Sequence, residues 1–205
     1  MVASVQAQVD GEFQNVWGIR AELRPVVWSS AMPTIQGWRV IVANNSDQAG
    51  DLGYHDETGV LPTGYVFVED AIKYGVTPSV TLSHEVLEML IDPWINATAI
   101  MPDGSVCSYE VCDAVEDDRW SYVVGDHLPV SNFVTPAWFT PHSPGPWDFK
   151  QVLRQPFQLA RGGYIAVFKN GHWSQRFDSE SFDTKQQAAR IEKGRFSRLY
   201  RRTMR

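Results

Sequence analysis

The run TPSVTLSHEVLEMLIDPW, residues 77–94, gathers acid and imidazole side chains into one short stretch. Drawn on a helix, Thr81, His84, Glu85, Glu88 and Asp92 share one arc about 100° wide, while Val86, Leu87, Leu90 and Ile91 lie opposite. No Lys or Arg stands on the polar arc. On a solvated helix face, carboxylates four residues apart such as Glu88 and Asp92 repel each other. A divalent cation would turn that repulsion into ligation. The pattern alone leaves two readings open, a solvated amphipathic helix or a face that holds a metal ion.

Cys107 and Cys112 follow, bracketing Glu110. They can be read as reduced thiols, as a cytosolic chain keeps them, or as a disulfide, although closing so short a loop stabilises little. As a zinc signature the pair is weak, because structural sites usually assemble four ligands.

These groups need a scaffold. A chain of 205 residues that is 43% hydrophobic can bury a core, with one domain as the default. Val2, Val5, Val9, Phe13 and Val16 recur every three or four residues, which predicts an amphipathic helix over 2–17 closed by Gly18. AELRPVVW (21–28) reads as a strand kept near an edge by Pro25, and WRVIVAN (38–44) and TGYVFVED (63–70) read as two more. Thr77 as N-cap, Pro78 at the first position and Pro93 as terminator predict the motif helix over 78–92. Residues 96–178 are rich in Pro, Gly and aromatics. They offer short strands such as RWSYVVG and a hairpin in GGYIAVFKNGHW (162–173) turning at Asn170-Gly171. The stretch FVTPAWFTPHSPGPWDF has too many prolines for regular structure. Residues 183–204 read as a C-terminal helix.

The motif helix resembles the active helix of the thermolysin-like zinc peptidases, the gluzincins. That family has two ligands at i and i+4, a general-base Glu after the first, and an Asp four after the second. Its third ligand is a downstream Glu, with an Asp a few residues beyond. SYEVCDAVEDD supplies Glu110, 26 residues after His84, and then Asp113. The resemblance implies His84 as first ligand, Glu88 in place of the family's second histidine, Glu110 as third ligand, and Glu85 as the base that activates a metal-bound water. Asp113 or Asp92 would hold the first ligand from behind. It further implies an α+β, zincin-like fold. The elements are a small mixed sheet, an N-terminal helix, the active-site-type helix, an irregular aromatic and Pro-rich β region, and a basic C-terminal helix. Residues 1–178 would be one domain containing the metal-site segment 77–116, with 179–205 as a basic tail. Two carboxylates and one histidine make a harder site than the family's, so zinc is expected and Mn or Ca is admitted. A strand borders the cleft in such folds, and TGYVFVED is placed to let an extended peptide add to its edge. His55, Tyr109, His127 and Tyr122 are candidates to stabilise an oxyanion or complete the metal shell, each set against a purely structural hydrogen-bonding role.

A second resemblance spans most of the chain. The set LGYHDETG, YVFVEDA, SHEVLEMLIDP, YEVCDAVED, VSNFVTPAWF and GGY is similar to a group of proteins encoded mostly by tailed bacteriophages and prophages. It implies a viral context, in the virion or the host cytoplasm, and no particular activity. In keeping with that location, MVASVQAQVDGEF lacks the basic start and apolar core of a signal peptide. No apolar run approaches the roughly 20 residues of a membrane helix.

Two functions follow as expectations: a metal-dependent peptidase or amidase, or a non-catalytic virion component that keeps the fold. The net charge of −6 divides unevenly, because RIEKGRFSRLYRRTMR (190–205) has seven Arg or Lys against one Glu, which leaves −12 on the other 189 residues. A basic tail on an acidic body points to docking on other virion proteins or on another copy of the chain. The acidic body and the lack of basic residues among the aromatics argue against nucleic acid.

Overall fold

The apolar stripe at the N-terminus forms a continuous helical run: α1 (Val2–Gln8), a π-helical turn (Val9–Phe13) and α2 (Gln14–Trp17). Gly18 ends it at φ 72°, the left-handed conformation that costs glycine no Cβ clash. Val5, Val9 and Phe13 are fully buried. The computed structural model describes residues 1–27, 37–46, 52–56 and 61–178, and these form a mixed α+β structure of small sheets and few helices.

Three strands make the first sheet: β1 (Arg39–Ala43), β2 (Gly53–Asp56) and β3 (Thr63–Phe67), in the order β1-β3-β2. β1 runs parallel to β3, and β2 runs antiparallel to it. Two expectations are corrected here. Residues 21–27 adopt no regular secondary structure, in keeping with Pro25, which has no N–H for a ladder. The TGYVFVED segment is not an edge: β3 is the central strand, with its hydrogen-bonding groups committed on both sides, and its last residues turn into helix α3 (Val68–Lys73). The strand with an unmatched side among the described residues, next to the motif helix, is β2.

The motif helix α4 spans Pro78–Ile91, with Thr77 extended at its N-cap and Pro78 in the first turn. The Thr77 side chain makes no capping bond. The carboxylate of Asp118 accepts the Thr77 N–H at 2.7 Å instead, and a negative group suits the positive end of a helix. Every residue from Ser79 to Met89 is buried. Leu82, Val86 and Leu87 join Val5, Val9, Phe13, Val66, Phe133 and Trp138 in one core cluster.

A second, wholly antiparallel sheet has the order β4 (Thr98–Ile100), β5 (Val106–Ser108), β8 (Tyr164–Lys169), β9 (His172–Phe177). The hairpin turns at Asn170 and Gly171, both with positive φ. RWSYVVG contributes only the two residues of β6 (Tyr122–Val123), paired with β7 (Pro129–Val130). The proline-rich stretch wraps the core with a short 3-10 turn, Pro136–Phe139, that buries Trp138. Cys107 and Cys112 are buried and are not joined in a disulfide. No helix among the described residues is long and apolar enough to cross a membrane. The basic tail and its expected helix over 183–204 lie outside the described residues.

Candidate metal centre

The polar arc of α4 does not face solvent. His84, Glu85, Glu88 and Asp92 are all buried, and Glu88 has no exposed surface. The solvated-face reading of this helix therefore fails, because the arc is roofed by β2 on one side and by the 110–115 segment on the other. A buried polar network sets the rotation of the helix. Ser83 Oγ donates to Gln8 Oε1 (2.6 Å) and accepts from the Ser131 N–H (3.1 Å), while Gln8 Nε2 donates to Ser131 O (2.7 Å) and to the Tyr122 hydroxyl (2.9 Å). Rotating α4 would strand several of these groups, which makes the orientation of the neighbouring His84 expensive to change.

Around His84, Nε2 lies 3.1 Å from Glu88 Oε2 and 3.3 Å from Asp113 Oδ1. Burial pushes the imidazole toward its neutral form. The Glu88 carboxylate and the hydrogen bonds to Asp113 and Glu88 outweigh it, so its pKa lies well above the ordinary value. The Cys112 N–H donates to Glu88 Oε1 at 3.2 Å, and burial, reinforced by the Glu88 charge, pushes the Cys112 thiol well up. His84, Glu88 and Cys112 each offer a donor atom within 4.8 Å of the other two. Donors around a cation held at about 2.0–2.3 Å lie at most twice that apart, so this trio needs little movement to close on an ion.

Across the helix, His55 on β2 is fully buried. Its Nε2 lies 3.1 Å from the Asp92 carbonyl oxygen. A carbonyl only accepts, so Nε2 carries the proton and Nδ1 presents a lone pair in the neutral ring. Nδ1 lies 3.6 Å from Glu85 Oε2. His55, Glu85 and Glu88 form a second trio within the same 4.8 Å limit. Buried His, Glu and Cys groups can thus hold a metal ion in this protein.

Gly53 is what lets β2 approach so closely. A Cβ there would sit 2.9 Å from Thr81 Cγ2, 3.0 Å from Glu85 Cγ and 3.0 Å from the Tyr65 carbonyl oxygen. We expect Gly53→Ala to destabilise the fold by about 1–3 kcal/mol through overpacking and strand displacement. A urea titration within about 0.5 kcal/mol of wild type would show that β2 does not press on Glu85.

The remaining sequence candidates are distributed as follows. Glu110 is buried but stands in neither trio; its segment delivers Cys112 to Glu88 two residues later. Asp113 faces the same His84 nitrogen as Glu88, which makes it a candidate ligand and not only a support from behind. The Asp92 carboxylate accepts the Asn96 and Ala97 N–H groups at 3.0–3.1 Å, so it holds the turn that follows α4, and its backbone carbonyl faces His55 Nε2. Tyr109 stacks on Phe139 at 3.8 Å between centroids and meets Trp17 edge-on. His127 is exposed in the β6–β7 turn. The Tyr122 hydroxyl belongs to the Gln8 network.

Sequence reasoning missed Cys112 as a partner of His84 and Glu88. Its only signal was its place in EVCD, directly before Asp113, since no local spacing ties a residue there to a helix 24 residues earlier.

No protein-family model matches the chain, and no curated protein and no solved structure matches it either.

Proposed function

We propose that the protein is a zincin-like, metal-dependent hydrolase of peptide or amide bonds, with its ion held by His84, Glu88 and Cys112. The observation that carries this reading is the convergence of that trio on the buried face of α4, one residue from Glu85. The donor chemistry fits: an imidazole, a carboxylate and a thiol suit zinc better than Mg or Ca. No Lys or Arg is among the described buried residues, so a cation is the natural counter-charge for these buried acids.

When bound, zinc supplies Lewis-acid polarisation of the scissile carbonyl. The chain's own residues do the rest. Glu85 is placed to accept a proton, as the gluzincin resemblance implies. His55, held by the Asp92 carbonyl, turns its Nδ1 toward the Glu85 carboxylate at 3.6 Å. β2 gives an extended peptide a strand to pair with beside the site, the role first expected of the central strand β3.

A second reading keeps the ion but not the chemistry, in a virion component where zinc only fastens α4 to the 110–113 segment. The burial of every member of both trios favours it, because structural zinc sites are closed.

One comparison separates the readings: metal content and hydrolysis of mixed peptides, for the wild type and His84→Ala. The hydrolase reading expects about one tightly held zinc or more and turnover in the wild type, with both lost in His84→Ala. Zinc without turnover supports the virion reading. A wild type that retains no zinc overturns both.

A further inference from the structure

We propose that the site takes two divalent cations, the second held by His55, Glu85 and Glu88, with the Glu88 carboxylate shared between the two. This rests on the metal reading above and adds a second ion to it. Three observations support it.

The two trios share Glu88, with His84 and Cys112 in one and His55 and Glu85 in the other. A carboxylate has two oxygens and can serve a cation with each. Glu88 has no exposed surface; its Oε1 accepts the Cys112 N–H and its Oε2 lies 3.1 Å from His84 Nε2.

His55 is set up as a ligand. Donating Nε2–H to the Asp92 carbonyl fixes the tautomer and turns Nδ1 toward Glu85. A backbone carbonyl behind a ligating imidazole is the usual way to orient such a ring. The close passage of β2 at Gly53 brings this ring to α4.

The charges point the same way. Glu85, Glu88, Asp92, Glu110 and Asp113 are five buried carboxyl groups in or beside the helix and the segment facing it, with no buried Lys or Arg among the described residues. With neutral imidazoles, one divalent ion offsets two negative groups and two ions offset four, so a second ion neutralises charge that the first leaves on these carboxylates and the Cys112 thiolate. The donor sets also differ. His84, Glu88 and Cys112 make a softer site that favours zinc, whereas His55, Glu85 and Glu88 make a harder one that accepts Mn as well.

The test is a metal count on the full chain. Ion-free protein is titrated with zinc by calorimetry, with bound zinc measured after dialysis, for wild type and His55→Gln. Cobalt substituted for zinc reports the first position separately, through the charge-transfer absorption of a Cys112 thiolate. We expect two equivalents in the wild type and one in His55→Gln, with the cobalt–thiolate absorption retained in both. One equivalent in the wild type overturns the second ion and leaves the hydrolase reading standing, a result that needs no variant to fold. Two equivalents in His55→Gln also overturn it, because the second ion would then lie elsewhere. No bound metal in the wild type removes both proposals.

Discussion

On the proposed hydrolase reading, Glu85→Gln should lower peptide hydrolysis by roughly 10²–10⁴-fold while zinc stays bound beside His84, because general-base transfer contributes about that much. The substitution keeps the shape of the side chain and removes its proton-accepting oxygen. The proposed ligands of the first ion, His84, Glu88 and Cys112, are unchanged. Its persistence is read from the cobalt–thiolate absorption. The amide N–H of the glutamine can donate to the His55 Nδ1 lone pair that faces Glu85 Oε2 at 3.6 Å, so the fold should survive. Unchanged turnover would remove Glu85 from the mechanism. Loss of turnover together with loss of the thiolate absorption would mean that Glu85 holds the first ion, contrary to the assignment above.

The second large effect is a divergence of two stability curves with pH. In ion-free protein the pKa of His84 is raised well above its ordinary value by Glu88 and Asp113, against the opposing effect of burial. A group with a raised folded pKa contributes stability that is fully present below its unfolded pKa of about 6.5, and that stability is lost as pH rises through the folded value. Ion-free protein should therefore lose this contribution on the alkaline side. Zinc reverses the trend, because binding must displace protons from His84 and from Cys112, whose thiol is also pushed up, so affinity climbs with pH. At a thousandfold excess over the dissociation constant the ion adds about 4 kcal/mol, or roughly 10 °C in melting temperature for a chain of this size. Melting scans with chelator and with zinc should approach each other in acid and separate as pH rises. Parallel curves would show that zinc does not compete with the protons on these two residues.

The local elements were legible because their causes are local. The apolar stripe Val2, Val5, Val9, Phe13 and Val16 gives the N-terminal helical run and Gly18 its end. Pro78 and Pro93 bracket the motif helix, and Asn170-Gly171 turns the last hairpin. Those signals depend on backbone conformation and periodicity within a few residues. The acid and imidazole residues of α4 were legible as candidate ligands for the same reason, as neighbours at helical spacing.

Tertiary structure decided the rest. The central position of β3 was not readable, because which side of a strand is paired depends on a partner far along the chain; β2, a four-residue segment, supplies that partner. The burial of the polar arc was not readable either, since an amphipathic pattern says which residues share a face and not what covers it. The motif suggested a metal face through His84, Glu85 and Glu88. Only the fold sets His55 and Cys112 against them, by bringing β2 close to α4 at Gly53 and the 110–113 segment past Glu88. The chemistry of the helix was written locally, and its enclosure came from non-local packing, which local spacing does not encode.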